Sequence, residues 1–177
     1  MIGQGHTENL SIFFLAIDIL KNLSVKISDD AIKKSAEKTI MPARLEIIKK
    51  DNKRIILDGA HNIESCNNGA DAIIAHHIKT PIKLLYTSMA DKDYKSNLKI
   101  LRKISDNVIL TKLDMPRVAS LDDLKQTAEQ YNFKTEVIEN PSSALNFAIH
   151  NMADDDTLLI CGSFYLAGEM RKKLHNI

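Results

Sequence analysis

From Leu45 onward the chain alternates between short unbroken apolar runs and longer stretches whose apolar residues recur every three or four positions. The runs "IIL" at 55–57, "VIL" at 108–110 and "LLI" at 158–160 have no polar interruption. Strands covered on both faces read this way. Between them lie helical stripes. One carries Ile63, Cys66, Ala70, Ile73 and His77, and a second carries Tyr94, Leu98 and Leu101 after Asp93. A third repeats Leu121, Leu124, Ala128 and Tyr131 behind Ser120 as cap, with Asp123 in the capping-box position. A fourth has Pro141 at its start and Leu145, Ala148, Ile149 and Met152 on one face. "LEIIKKDNKRIILD" reads as two strands joined by a polar turn, "IKLLYTS" and "KTEVI" as further strands, and "TLLICG" as the last, with Ser163 opening a final helix. Strands alternating with helices in this way imply right-handed crossovers. The predicted fold is α/β: a doubly wound, mostly parallel sheet of about six strands with one antiparallel strand, and helices on both faces. Ligands bind such sheets beyond the carboxyl ends of the strands, where the winding reverses, which singles out loops 58–62, 88–93, 111–117 and 162–163.

The first forty residues follow a different rule. Leu10, Phe13, Phe14, Ile17 and Leu20 form a bulky apolar helix face with nothing strand-like before it, and such a face needs a partner. It is expected to be the tail of a preceding domain. A second helix should run from Ser28, an N-cap followed by two acids, to about Lys38. Pro42 in "TIMPAR" then breaks the pattern, so the chain divides into 1–40 and 41–177.

Composition narrows the class. Among 177 residues, 44% are hydrophobic and 27% charged, which argues against disorder and against a membrane protein. The longest apolar stretch, "SIFFLAIDIL", is interrupted by Asp18 and is too short to span a bilayer. With 24 basic and 23 acidic residues, there is no electrostatic reason to expect nucleic acid as a partner. The run "IKKDNKR" reads as a solvated hairpin tip. Cys66 and Cys161 form no CxxC pair, and no secretory signal is visible, so a reduced, cytoplasmic chain is expected.

The chemistry begins with an absence. The six glycines, at 3, 5, 59, 69, 162 and 168, build neither a P-loop nor a dinucleotide fingerprint. A nucleotide would have to be met at an edge, and the turn "DGAHN" offers one. Asp58, at a strand's carboxyl end, has the chemistry to accept ribose hydroxyls, Gly59 lets the backbone turn tightly, and the helix behind presents free N–H groups to an anion. His61 has the chemistry to donate to phosphate or carboxylate, or to accept a proton, and Asn62 to cap the helix. A bland reading stands beside each: a capping Asp58, a structural His61, an Arg44 that pairs with Glu46, an Asp93 that only caps. Arg117 either contacts substrate or rims the cleft, and Tyr165 lines a pocket or packs in the core. His76 and His77, adjacent on a helix, face different ways and make a poor metal pair.

At this point the sequence resembles a known family. "MPARLEII" followed by "ILDGAHN" is similar to the [WM]-P-[GA]-R-x-E and D-x-A-H-N motifs of folylpolyglutamate synthases and bifunctional dihydrofolate synthases, in the Mur-ligase superfamily. "ADKDY", "MPRVAS" and "LLICGSFYLAGEMR" continue the likeness over nearly the whole chain. The resemblance implies a Rossmann-like C-terminal domain. Its partner would be an N-terminal ATPase domain of the same polypeptide, holding the P-loop, the Mg2+ ligands and most of the folate site. The implied reaction is ATP-dependent joining of folate to L-glutamate through an acyl phosphate. On this resemblance Asn9 meets the adenine, with His6 standing where the family has glutamine and Leu10 where it has alanine. Arg44 reaches toward ATP, Asp58 binds its ribose or adenine side, His61 is catalytic and lies near the phosphates or the incoming amino acid, and Ser163 belongs to the amino-acid pocket. Half of a two-domain site should be inert alone. Two other readings stay open: a peptidoglycan-precursor ligase domain, and a non-catalytic nucleotide-sensing or interaction module.

Overall fold

The computed structural model describes residues 4–39 and 41–175; side chains are described from residue 9 onward. Two helices lead, α1 (Gln4–Asn22) and α2 (Asp29–Lys38). The Ser28 hydroxyl accepts the Ala31 N–H and starts α2, as its position before two acids predicts. A hairpin follows, β1 (Glu46–Lys50) and β2 (Lys53–Leu57), with Asp51 in the left-handed region at its tip. Then come α3 (Ile63–Ala75), β3 (Ile82–Tyr86), α4 (Tyr94–Leu101), β4 (Ser105–Leu110), α5 (Leu121–Gln130) and β5 (Lys134–Val137). The chain closes with α6 (Pro141–His150), β6 (Thr157–Cys161) and α7 (Phe164–His175). The oxygens of Asn62, Asp93, Ser120 and Asn140 each accept the N–H three residues on, so α3 to α6 all begin with a side-chain cap.

The six strands lie in the order β1-β2-β6-β3-β4-β5, and only the β1–β2 pair is antiparallel. Alternate strand residues feed two cores, one on each face. On one face Ile56, Leu84, Tyr86 and Leu159 pack with Cys66 and Ile73 of α3, Leu98 of α4 and Leu124 of α5. On the other, Ile55, Leu57, Leu85 and Ile160 pack with Leu145 of α6 and Met170 of α7. Each fully buried Leu or Ile contributes roughly 1.5–3 kcal/mol, so the unbroken apolar runs are what a sheet covered on both sides requires.

The winding reverses once. From β3 the chain moves outward to β4 and β5 through α4 and α5 on one face; it then returns through α6 on the opposite face and inserts β6 between β2 and β3. The crevice at that reversal lies beyond the carboxyl ends of β2, β6 and β3. Away from it, α1 keeps Ile12, Leu15 and Ile19 more than half exposed, and α2 buries no residue.

Candidate functional site

The turn after β2 is tied down on both sides. The Gly59 N–H donates to the Ala43 carbonyl at 2.7 Å, and the Gly162 N–H donates to the Ala60 carbonyl at 2.7 Å. These two bonds hold the turn between the 43–45 segment and the end of β6. Asn62 caps α3 by accepting the Ser65 N–H at 2.8 Å, while the Ser65 hydroxyl accepts the N–H of Asn62 in return. Gly162 is the position where only glycine fits. Its φ is +93°, and a Cβ there would lie 2.0 Å from the Thr87 carbonyl oxygen and 2.6 Å from the Tyr86 ring.

His61 leaves this turn half-buried. Its Nδ1 lies 2.8 Å from the Gly59 carbonyl, an oxygen that only accepts, so Nδ1 carries the hydrogen and Nε2 of the neutral ring is the acceptor. From behind, the buried Asn97 side chain donates to the His61 carbonyl at 3.1 Å. Asp58 behaves differently. It is 6% exposed, and Oδ1 accepts the Ala60 N–H at 2.9 Å. Burial pushes its carboxyl up to about 6, against the opposing pull of the Ala60 N–H, the Arg44 charge and the Leu45 backbone. The same burial, with the Asp58 charge beside it, pushes the Cys66 thiol up to about 12. Cys66 and Cys161 are both buried and free, as packing groups.

An open cleft of about 440 Å³ runs along the crevice. His61 lines it from the β2 loop, Met89, Asp91 and Lys92 from the β3 loop, Arg117 from the β4 loop, and Gly162, Ser163, Phe164 and Tyr165 from the end of β6 and the start of α7. Two cations and an imidazole against one carboxylate suit it to an anion. Lys92 pairs with Asp91 at 3.3 Å, and Arg117 is exposed. Asp93 stands just outside as the cap of α4. Ser163 is buried on the cleft floor, where its hydroxyl accepts the Tyr165 N–H at 3.1 Å. Tyr165 is 55% exposed at the rim rather than in the core.

Arg44 approaches from the side. Its guanidinium lies 4.7 Å from the centroid of the Phe164 ring, and among the described residues no carboxylate is within ion-pair distance of it. Glu46, its neighbour in the sequence, accepts from Arg171 Nε at 2.9 Å and from the Ala43 N–H at 3.0 Å instead. Asn9 is not brought to the cleft. It lines a separate groove between α1 and α2 with Phe13, Ala36 and Met41. The His6 side chain lies outside the described residues. Met89 and Phe164 are cleft residues that pattern reasoning passes over, because an apolar residue beside a motif carries no chemical signal of its own. Among the described residues, no three His, Cys, Asp or Glu side chains converge as a metal site would need.

A model of the family described as Mur ligase, glutamate ligase domain, matches residues 43–164. The chain is 27% identical over 175 residues to a dihydrofolate synthase/folylpolyglutamate synthase of Bacillus subtilis, which spans 98% of the chain and 40% of that protein. It is 30% identical over 172 residues to a UDP-N-acetylmuramoyl-L-alanyl-D-glutamate–2,6-diaminopimelate ligase of Wigglesworthia glossinidia brevipalpis, covering 92% of the chain and 33% of that enzyme. Among solved structures, the folylpolyglutamate synthase of Thermotoga maritima superposes with a TM-score of 0.79 at 28% identity, over 99% of this chain and 39% of that one. That of Mycobacterium tuberculosis, complexed with ADP and AMPPCP, shares the fold with a TM-score of 0.82 at 21% identity, over 98% and 41%. The chain thus spans about 40% of the length of these folate-enzyme relatives.

Proposed function

Because the chain belongs to the Mur ligase family through its glutamate ligase domain, we propose that it is the C-terminal part of an ATP-dependent folate:L-glutamate ligase and supplies one wall of a two-walled site. The observation that carries this reading is the cationic cleft at the winding reversal, where the loops after β2, β3 and β4 present His61, Lys92 and Arg117 beside an Arg44 that forms no ion pair among the described residues. A fixed guanidinium fits phosphate oxygens, and the remaining cations fit the carboxylates of glutamate.

Each residue then has a task. Arg44 holds phosphate across the domain cleft. Asp58 keeps a carboxylate in a setting that favours its neutral form, a cost expected where an acceptor for ribose hydroxyls is needed. His61, with Nδ1 anchored to Gly59, offers Nε2 to the incoming amino group or the phosphates. Ser163 shapes the carboxylate pocket at the start of α7. ATP supplies the phosphoryl group that activates the folate carboxylate for attack by the glutamate amino group, which releases phosphate as the amide forms. Residues 1–40 are assigned to the end of an N-terminal ATPase domain and its linker, with Asn9 at the adenine. The Mg2+ ligands and the P-loop are assigned to that same domain. The protein is read as cytoplasmic; among the described residues no helix is long and apolar enough to cross a membrane.

The purified 177-residue chain, given ATP, Mg2+, glutamate and a reduced folate, is expected to form no glutamylated product, and joining it to a preceding ATPase domain to restore ligation. Turnover by the chain alone would overturn the divided site. The second reading, a peptidoglycan-precursor ligase, has the diaminopimelate-adding relative in its favour. It wins if the joined protein extends a UDP-linked muramyl peptide and ignores dihydropteroate and tetrahydrofolate.

A further inference from the structure

We propose that Phe164 is a positioning residue whose ring fixes Arg44 and His61 relative to one another at the rim of the cleft; the functional part of this inference rests on the ligand roles given to those two residues above. Three segments far apart in the chain meet on this ring. The Arg44 guanidinium lies 4.7 Å from its centroid, and the His61 ring lies 5.6 Å from it, tilted by 57°. Gly59 makes room for it: a Cβ at that position would fall 2.1 Å from Phe164 Cε1. Gly59 lies outside the left-handed backbone region, so the absent side chain, not the turn, is what the glycine supplies here.

The choice of an aromatic partner has an electrostatic consequence. A carboxylate in direct ion-pair contact would neutralise the charge that an anionic ligand needs; Asp58 meets the Arg44 charge only through space, whereas the π face of Phe164 holds the guanidinium by its quadrupole. The nearest acid in sequence, Glu46, is withdrawn from competition by Arg171 and by the Ala43 N–H. The same glutamate fastens the segment on either side of Arg44, where Ala43 and Leu45 both adopt positive φ, at 54° and 46°. Glu46 therefore sets the backbone from which Arg44 reaches, and Phe164 sets where its charge ends. Leucine would fill much of the space without the quadrupole, which separates positioning from packing.

Labelled chain is examined by NMR as wild type, Phe164→Leu, Phe164→Tyr and Gly59→Ala. Phe164→Leu is expected to shift the His61 ring protons and to sharpen the Arg44 Nε–H signal toward that of a freely rotating side chain, with Phe164→Tyr restoring both. Gly59→Ala, which drives the ring out, should reproduce the leucine variant. In protein joined to its ATPase domain, Phe164→Leu should raise the KM for ATP about two- to fivefold, the worth of one exposed cation–π contact, and Phe164→Tyr should reverse the rise. The double variant Gly59→Ala/Phe164→Leu should be no worse than either single one. The proposal is overturned if leucine leaves the Arg44 and His61 signals unchanged, if tyrosine fails to restore them, or if the two substitutions add. Should the joined protein prove to lack ligase activity, the proposed function fails, and the NMR comparison alone still decides whether Phe164 positions the two groups.

Discussion

Asp58 occupies a place that favours its neutral form, and this has a measurable signature. In an unfolded chain an aspartate titrates near 3.9, whereas burial raises this one to about 6 in the fold. Between those values the folded state binds the proton more tightly. The stability tied to the protonated form is thus fully present below about pH 4 and is lost as pH rises through about 6. Asp58→Asn retains an oxygen for the Ala60 N–H and removes the charge. We expect it to be more stable than wild type at pH 7.5 by on the order of 2–3 kcal/mol, with the difference vanishing near pH 4, in paired urea titrations. A variant less stable than wild type at pH 7.5 would show that Arg44 and the turn N–H groups more than offset the burial. The chemistry of the DGAHN turn was legible from its residue types. The burial of Asp58 was not, because it depends on what the 43–45 segment and α3 lay over it.

Helix starts were the most local features and the most readable. Asn62, Asp93 and Ser120 each stand directly before an apolar stripe and Ser28 before two acids, and each accepts the N–H that a cap should. The end of β6 was less readable. Gly162 there faces the end of β3, with backbone and a fully buried ring as its neighbours. Gly162→Ala combines a strained φ with a clash that nothing can relieve cheaply, so we expect it to destabilise the chain by more than about 2 kcal/mol in equilibrium unfolding. Gly59→Ala meets only the movable Phe164 ring and should cost far less. Equal costs would show that the β6–β3 seam is softer than its geometry implies. In the sequence the two glycines look alike; only the neighbouring elements tell them apart.

Across the described residues, the two cores take in the strands and the helices α3 to α7; α1 touches α3, and a strip of it carrying Ile12, Leu15 and Ile19 is left exposed. Ile12 is 65% exposed and Leu15 61% exposed. Replacing both with lysine should change the unfolding free energy of the 177-residue chain by less than about 0.5 kcal/mol for each site, as for exposed positions generally. In protein joined to the ATPase domain, the same pair should impair folding or activity, since an apolar face of this size is expected to be covered. A large loss of stability in the chain alone would instead mean that Ile12 and Leu15 themselves pack on this domain.

The sequence by itself determined which elements form and in what order, and that the sheet is covered on both faces, because hydrophobic period, caps and turn residues act within a few positions of one another. It also marked the four loops that line the cleft, since those loops follow strands. Only the tertiary structure decided that β6 enters between β2 and β3, that Glu46 pairs with Arg171 rather than Arg44, and that Phe164 touches both Arg44 and His61. These outcomes turn on contacts between residues far apart in the chain, where packing and burial choose among partners that local pattern leaves equivalent.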